Sequence, residues 1–466
     1  MNPNDNFKYL QMGLSDDILR RKEYGDFKGA IRLIDRKLKA GNQILSMRNS
    51  LVVQREIMVR LSENYPYTKE KAVIKVQEHI PEFTEAEFDE REQNGEIEWI
   101  YIDGIPHYFD RFYESMIKTD AIFAARAGVQ NMVCDGGSVG SGTQENPLDR
   151  EASRMREKGS VSNRICVRAS VQIKDKYFKL GEIVRIHLPI PCSCSQQSEI
   201  RIEQMSPFDG QVAPEDAPQR TVYWEERMME NHPFMVEYSY IYTARYIDVN
   251  SIVPNEEQPS FDIHEQPPHI MFTPYIRELT RSLTEGLNSP LEKARAIYDF
   301  VTLNMKYSFM RSYFCLESIP ENGARNLRGD CGVMALLFIT LCRCAGIPAH
   351  WQSGLITRPD FCGAHDWTMF YIAPYGWLYA DPSFGTGAVR EQNEERRQFY
   401  FGNLDPFRMV ANSQFQADFT VPKEFWRADP YDNQVGEIET LHRALRYFEF
   451  DRFKEVVGFT ELQSRL

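Results

Sequence analysis

The pattern of hydrophobic and polar residues has a different period in different regions of the chain. In the first region its period is that of a helix. Ile31, Ile34 and Leu38 recur every three or four residues, as they would on one face of an α-helix. Between residues 98 and 108 the pattern indicates a hairpin, with Asp103-Gly104 as its turn. We therefore predict a helical N-terminal domain over residues 1–133.

The pattern changes twice after this domain. Residues 134–163 are rich in glycine, serine, asparagine and charge, which is typical of a flexible linker or a long surface loop. Over residues 164–253 apolar and polar residues alternate in short runs that turn residues separate. Several short alternating runs of this kind predict a β-sandwich domain.

The region over residues 254–430 begins with helical signals. Ser289-Pro290 has a capping serine followed by proline at the first helical position. A second helix is predicted from Cys331 to about Ala345, because Gly346 is typical of a helix end.

Strand-like segments follow this second helix, at about residues 349–357, 366–373 and 377–381. Helices followed by consecutive strands predict an α+β domain with an antiparallel sheet. Residues 431–466 return to helical spacing, which predicts a C-terminal helix. The fold class expected for the whole chain is therefore α+β and multidomain.

The composition of the 466-residue chain limits the classes of partner that we expect it to bind. The formal net charge is −13, which argues against binding to nucleic acid or to an anionic membrane, whose phosphates attract basic surfaces. The longest apolar stretch is about half of the ~20 residues that a membrane-spanning helix needs. The first residues lack the pattern of a signal peptide. We therefore expect a cytoplasmic protein whose nine cysteines are reduced.

Three side chains that are distant in sequence supply the parts of an acyl-transfer site. Cys331 begins the second helix, where the helix dipole and free backbone N–H groups favour a thiolate. His365 begins one predicted strand and Asp381 ends the next, so antiparallel pairing would bring imidazole and carboxylate together. In such a site the cysteine attacks a carbonyl carbon, the histidine transfers protons and the carboxylate orients the histidine.

Residues close to these three are candidates for the wall of the site. Gly332 allows the backbone to approach closely beside Cys331. Trp367 is expected to pack against the imidazole and exclude water, and Cys362 to lie in a loop that walls the site.

The motifs around these residues resemble those of the transglutaminase-like superfamily, in its bacterial form. The resemblance spans about residues 285–385, and the runs that carry it are Gly329-Asp330-Cys331-Gly332, Ala345-Gly346-Ile347-Pro348, His365-Asp366-Trp367 and Ala380-Asp381-Pro382. It implies a papain-like core in which Cys331 is the nucleophile, His365 the general base and acid, and Asp381 the orienting carboxylate. The chain after residue 385 is too short for the two β-barrels of the animal cross-linking enzymes, and it shows no calcium-binding loop.

These features predict an enzyme that cleaves or transfers an amide acyl group of a peptide or protein through a thioester. Peptide cleavage, glutamine deamidation and cross-linking stay open as outcomes, and we favour hydrolysis. We expect no cofactor and no metal, because Cys192 and Cys194 have no second ligand pair nearby.

Two other functions stay open for the chain. It could be a non-catalytic protein-binding or scaffold module built on the same fold, with the N-terminal helical domain as the surface for a protein partner. Alternatively, Cys331, His365 and Asp381 could be metal ligands.

Overall fold

A domain of helices with one hairpin forms the first part of the fold, which confirms the predicted class of this region. The structure is a computed structural model that describes residues 8–10, 12–129 and 146–462. The elements of the domain are α1 (Asp16–Glu23), α2 (Phe27–Ala40), α3 (Leu45–Asn64), α4 (Lys69–Gln77), α5 (Glu85–Gln93), β1 (Trp99–Ile102), β2 (Ile105–Tyr108), α6 (Phe112–Thr119) and α7 (Ala121–Arg126).

The predicted linker over residues 134–163 is wrong where the structure describes it. Helix α8 (Pro147–Lys158) and the start of strand β3 (Ser160–Ile173) occupy this stretch, and residues 134–145 lie outside the described residues. Asn146 caps α8, and Leu148, Ala152 and Met155 form a buried face in spite of the charged residues around them. The high charge of the segment therefore belongs to the solvated face of a helix.

The strands that follow show the predicted period of two. In β3 every second residue is buried. The further strands are β4 (Ile183–Pro189), β5 (Gln197–Ser206), β6 (Gln211–Val212), β7 (Thr221–Arg227) and β8 (Phe234–Arg245).

The α+β domain has the predicted order of helices followed by strands. Its helices are α9 (Pro274–Thr284), α10 (Pro290–Asn304), α11 (Ile319–Asn326), α12 (Cys331–Cys344), α13 (Pro382–Arg390) and α14 (Glu394–Phe399). Its strands are β9 (Lys306–Tyr307), β10 (Arg328–Gly329), β11 (Ala349–Arg358), β12 (Phe361–Ile372), β13 (Gly376–Ala380), β14 (Phe401–Gly402) and β15 (Arg408–Asn412). The main sheet is antiparallel throughout, in the order β14-β13-β12-β11-β15.

Helix α12 is buried from Gly332 to Arg343, because nearly all of its side chains are apolar. It packs on the sheet, with the rings of Phe338 and Phe370 5.7 Å apart. The helix that carries Cys331 is therefore buried and packs against strand β12.

The predicted C-terminal helix over residues 431–466 is wrong in the described residues. The chain there forms β16 (Glu437–Thr440) and β17 (Phe450–Leu462), which pair antiparallel with β4 and β3. Aromatic residues three apart, Phe450 and Phe453, imitate a helical period, and a register shift between Val456 and Gly458 interrupts the alternation. This segment forms a strand and not a helix because it pairs with β3. Without β17, one edge of the long strand β3 would be unpaired.

The two C-terminal strands complete the β-sandwich. Its antiparallel sheets have the orders β17-β3-β8-β5 and β16-β4-β7-β6. The sandwich predicted for residues 164–253 therefore also contains strands from the end of the chain. Its buried residues join those of the α+β domain in one continuous core.

The N-terminal domain packs against the segment that precedes α12. Phe314 and Cys315, in a short 3-10 turn, belong to the buried core of this domain. Arg60 in α3 donates hydrogen bonds of 2.9 Å to the carbonyl oxygens of Arg427 and Ala428. The N-terminal domain is thus held against both the α+β domain and the C-terminal segment.

Candidate active site

The start of α12 holds Cys331 at the positive end of the helix dipole. Asp330 caps the helix by accepting a hydrogen bond of 3.2 Å from the backbone N–H of Val333. The hydroxyl of Tyr313 donates to the same carboxylate oxygen. Gly332 follows the cysteine because a Cβ atom there would lie 2.3 Å from the Tyr313 hydroxyl oxygen. The helix start therefore requires glycine directly after the cysteine.

His365 and Asp381 form a buried pair. His365 lies in β12 and Asp381 follows β13, and their Nε2 and Oδ2 atoms are 2.8 Å apart with both side chains inaccessible to solvent. Arg408 in β15 donates a second hydrogen bond of 2.8 Å to Oδ2 of Asp381. Burial opposes the charge of Asp381, but the histidine and Arg408 outweigh it and hold the pKa of this carboxyl below its usual range.

The other ring nitrogen of His365, Nδ1, has different surroundings. Nδ1 is buried and has no hydrogen-bond partner within the described residues. Aromatic rings enclose the imidazole, with centroid distances of 4.6 Å to Phe384 and 6.2 Å to Trp367. Since Nε2 faces a carboxylate, it carries the ring proton in the neutral form, and Nδ1 then has a free lone pair.

The part of the chain that contains Cys331, His365 and Asp381 matches a known protein family. Residues 277–382 match the model of the transglutaminase-like superfamily. The chain contains a transglutaminase-like domain. The matched residues include the start of α12 and strands β11 to β13, so they contain Cys331, His365 and Asp381.

Within the transglutaminase-like domain, the thiol of Cys331 donates a hydrogen bond to Asp366. The distance from Sγ to Oδ2 of Asp366 is 3.2 Å. The Nδ1 atom of His365 has no partner in the described chain, so the thiol and the imidazole are not hydrogen-bonded to each other in this structure. The thiol is therefore directed to the residue that follows the histidine in β12.

Asp366 is buried among other acidic groups. Burial raises the pKa of its carboxyl well above the usual range, and the neighbouring Asp432 and Asp330 raise it further. Gln434 donates from its amide to Oδ1 of Asp366 and, at 3.0 Å, to the carbonyl oxygen of His365. This glutamine links the C-terminal segment of the chain to the strand that carries the histidine.

Cys331 and Asp366 line a cavity of about 730 Å³. Besides strand β12 and Lys174, the wall comes from α3 with the loop before α6, the segment between β9 and α12, and the C-terminal segment over residues 428–452. Acidic side chains lie close to the thiol. Arginine and lysine residues stand elsewhere in the wall: Arg60, Arg111, Lys174, Arg311, Arg446 and Arg452. The transglutaminase-like domain therefore supplies only part of the wall.

The residues predicted for the wall of the site have different positions. Gly332 lies close to the Tyr313 hydroxyl. Trp367 is fully buried beside the imidazole of His365. The prediction for Cys362 is wrong, because this residue lies in strand β12 and not in a loop, and it is absent from the cavity wall. Burial raises the pKa of its thiol to about 11.

Sequence reasoning missed Arg408, Asp366, Asp432 and Gln434. Arg408 lies beyond residues 285–385, over which the family resemblance extends. The acidic residue Asp366 stood inside a quoted motif without a role. Asp432 and Gln434 lie in a segment with no periodic pattern, so no local signal indicated their position.

Metal-ligand clusters and membrane-spanning helices are absent from the residues that the structure describes. No group of three or more His, Cys, Asp or Glu side chains in them is arranged to hold a metal ion. Every helix in the same residues is too short or too polar to cross a membrane.

Solved structures with similar folds come from bacteria. A "Putative Cysteine Protease" from Cytophaga hutchinsonii is 14% identical, with a TM-score of 0.42, over 66% of this chain and 92% of that one. The periplasmic domain of TgpA from Pseudomonas aeruginosa is 16% identical, with a TM-score of 0.28, over 55% of this chain and 99% of that one. At these values neither similarity bears on activity. No curated protein sequence matches the chain.

Proposed function

We propose that the chain is a cysteine-dependent enzyme that hydrolyses an amide bond in a peptide. Cys331 is the nucleophile, His365 the general base and acid, and Asp381 the carboxylate that orients the histidine. The observation that carries this proposal is the fixed imidazole: Nε2 is bonded to Asp381, and Nδ1 is buried with no partner within the described residues. A histidine held in this tautomer is prepared to accept a proton at Nδ1.

The reaction begins when the thiol of Cys331 turns from Asp366 to Nδ1 of His365. The imidazole takes the proton, and the sulfur attacks the carbonyl carbon of the amide. Imidazolium then returns the proton to the leaving nitrogen, the C–N bond breaks and an amine departs, which leaves a thioester on Cys331. Water, deprotonated by the same imidazole, hydrolyses the thioester and releases the acid and the thiol.

Arg408 and the helix start support these steps. The guanidinium of Arg408 keeps Asp381 ionised, so that the carboxylate stabilises the imidazolium as it forms. The start of α12 directs backbone N–H groups and the positive end of its dipole to the region where negative charge develops.

The cavity favours a peptide over a folded protein as the substrate. Its volume of about 730 Å³ is in the usual range for small-molecule sites, roughly 300–1,000 Å³. Parts of the N-terminal domain and of the C-terminal segment form its walls, which suits a short or flexible chain. Hydrolysis agrees with such a site, because cross-linking requires access for a second protein.

A peptide chloromethyl ketone and a set of peptide amides test the proposal together. We expect the ketone to alkylate Cys331, seen by peptide mapping, and the wild-type protein to release amines from the amides. Both signals should vanish in Cys331→Ala, and Cys362→Ala, which removes a thiol outside the cavity, should keep both. If Cys331 stays unlabelled and no amide is hydrolysed, the proposal is wrong and the alternative of a binding module gains support.

A further inference from the structure

Buried carboxylates in this chain usually have a cation beside them, and two of them do not. Six buried carboxylates in the described residues have an Arg or Lys nitrogen within 4.0 Å: Glu151, Asp381, Asp405, Glu437, Glu439 and Glu449. Asp366 and Asp432 are equally buried, but neither forms an ion pair in the part of the chain that the structure describes. With no cation beside it, the Asp366 carboxyl keeps its proton to a higher pH than usual, because its pKa is raised, and a cationic ligand would offset the cost of ionising it.

The two unpaired carboxylates are also the ones that face the nucleophile. Both line the cavity that contains Cys331. Asp432 is only 5% exposed, and its Oδ2 atom has no hydrogen-bond partner within the described residues. Its hydrogen-bond contacts are with Ser353 and Asp366. A polar atom that is buried, unpartnered and in the wall of a cavity indicates a missing ligand group.

The charged groups around the pair do not supply a cation to it. Asp330 faces Asp366 from the start of α12, while Glu437 and Asp429 belong to the C-terminal segment. Arg427 lowers the pKa of Asp432 by its charge but forms no ion pair with it in the described residues. Its guanidinium donates to the carbonyl oxygens of Asp429 and Ala417 and to Gln219.

The distances at the thiol restrict which cation fits. Oδ2 of Asp366 lies 3.2 Å from Sγ of Cys331. A carbonyl carbon under attack stands roughly 3–3.5 Å from the nucleophile, and an ammonium lies about 2.8 Å from a carboxylate oxygen. The nitrogen and carbonyl carbon of one amino acid are roughly 2.5 Å apart. These lengths fit an ammonium that is the α-amino group of the residue whose carbonyl is attacked.

We propose that Asp366 and Asp432 bind the free α-ammonium group of the substrate, so that Cys331 attacks the carbonyl of an amino-terminal residue. The inference rests on the proposed function and names its substrate class, which is peptides or amides with an unblocked N-terminus. The thiol hydrogen bond to Asp366 then has a place in the cycle. The entering ammonium takes over Oδ2, and the thiol is released toward His365.

Paired probes that differ only at the α-amino group test this inference. Alanine chloromethyl ketone has a free amine, and its N-acetyl form is capped. Labelling of Cys331 is followed by peptide mapping, with each rate divided by the rate at which the same probe alkylates 2-mercaptoethanol. We expect the free probe to label wild-type Cys331 at least tenfold faster than the capped probe. The same comparison with alanyl and N-acetylalanyl aminomethylcoumarin should give a similar ratio in kcat/KM.

Variants locate the source of the preference. Asp432→Asn and Asp366→Asn should each reduce the ratio of free to capped labelling to threefold or less. Asp216→Asn removes the same charge from an exposed site and should keep the wild-type ratio. The wild-type ratio can be measured whether or not either cavity variant folds.

The outcomes separate the two proposals. Equal labelling of wild-type Cys331 by free and capped probes would overturn the ammonium site while the cysteine chemistry stands. A preference that survives in both cavity variants would also overturn it. If neither probe labels Cys331 and neither coumarin amide is cleaved, the proposed function itself is lost.

Discussion

Arg408 donates a hydrogen bond of 2.8 Å to Oδ2 of Asp381, inside a region from which solvent is excluded. The same oxygen is bonded to His365, and a second carboxylate, Asp405, lies on the other side of the guanidinium. One buried cation therefore balances two buried anions. Because all three side chains are inaccessible, none of the charges can be solvated if one is removed.

Replacing Arg408 should therefore be unusually harmful. In Arg408→Ala we expect the free energy of unfolding to fall by about 3–5 kcal/mol, because two buried carboxylates lose their cation. Chemical denaturation measures this change. Arg358→Ala is the matched control, since Arg358 is equally buried but its partner Asp360 is 59% exposed and can be hydrated. Equal losses in the two variants would show that the volume of the side chain matters and the stranded charge does not.

Adding a methyl group at Gly332 should disturb the environment of the Cys331 thiol. The new Cβ would lie 2.3 Å from the hydroxyl oxygen of Tyr313 and 2.9 Å from Oδ2 of Asp366. We expect Gly332→Ala to lower the free energy of unfolding by about 1–3 kcal/mol and the alkylation rate of Cys331 by about tenfold.

A double-mutant cycle identifies the clash at Gly332. In the Tyr313→Phe background the hydroxyl is gone, so the added methyl group should be less destabilising than in the wild type. Gly13→Ala is the control, because a Cβ atom there meets nothing within 4 Å. A methyl group with the same effect in both Tyr313 backgrounds would contradict the predicted contact.

How much of the site the sequence could predict depends on how local each signal is. The start of α12 and the strands of His365 and Asp381 were predictable, because capping residues, Gly346 and alternating patterns lie next to them in sequence. The bond between Cys331 and Asp366 was not, since it depends on the packing of α12 against β12. Strand β17 was mistaken for a helix because its partner β3 lies far earlier in the chain.

Gln434 should affect catalysis more than stability. Its amide donates to the carbonyl oxygen of His365 at 3.0 Å and to the carboxylate of Asp366. Gln434 therefore holds two consecutive residues of β12 in place. In Gln434→Ala we expect a loss of about 1 kcal/mol in the free energy of unfolding and a fall of about tenfold in kcat/KM, since the histidine is less well positioned.

Gln258→Ala provides the comparison for this prediction. Gln258 also makes two hydrogen bonds, donating to the carbonyl oxygen of Asn255 at 2.8 Å and accepting from the backbone N–H of Ala373 at 2.9 Å, but it is not in the cavity wall. Steady-state kinetics and denaturation of both variants separate positioning from general stability. If Gln434→Ala keeps the wild-type kcat/KM, the C-terminal segment has no role in holding the histidine strand.

Asp429 should make the stability of the protein depend on pH. Burial, with a contribution from Asp432, raises the pKa of its carboxyl to about 8, while the unfolded chain has an ordinary value of about 3.9. The folded state therefore holds the proton more tightly. The stabilisation is complete below about pH 4 and is lost as the pH rises toward 8.

Replacing this carboxyl removes its part of the pH dependence. We expect Asp429→Asn to gain at least about 1.4 kcal/mol relative to the wild type between pH 5 and pH 8, the equivalent of one pKa unit. Urea denaturation at several pH values measures the difference. Parallel pH profiles for the wild type and this variant would mean that Asp429 is ionised in the folded protein throughout this range.

The long strand β3 is central in its sheet, between β8 and β17. Its second neighbour begins only at Phe450, so a chain that leaves the ribosome exposes one edge of β3 until Phe450 and the residues after it have been made. Residues 428–452, which the cavity also needs, emerge equally late. Until then the cavity of the nascent protein is incomplete, and the unpaired edge of β3 is a surface that a chaperone is suited to cover.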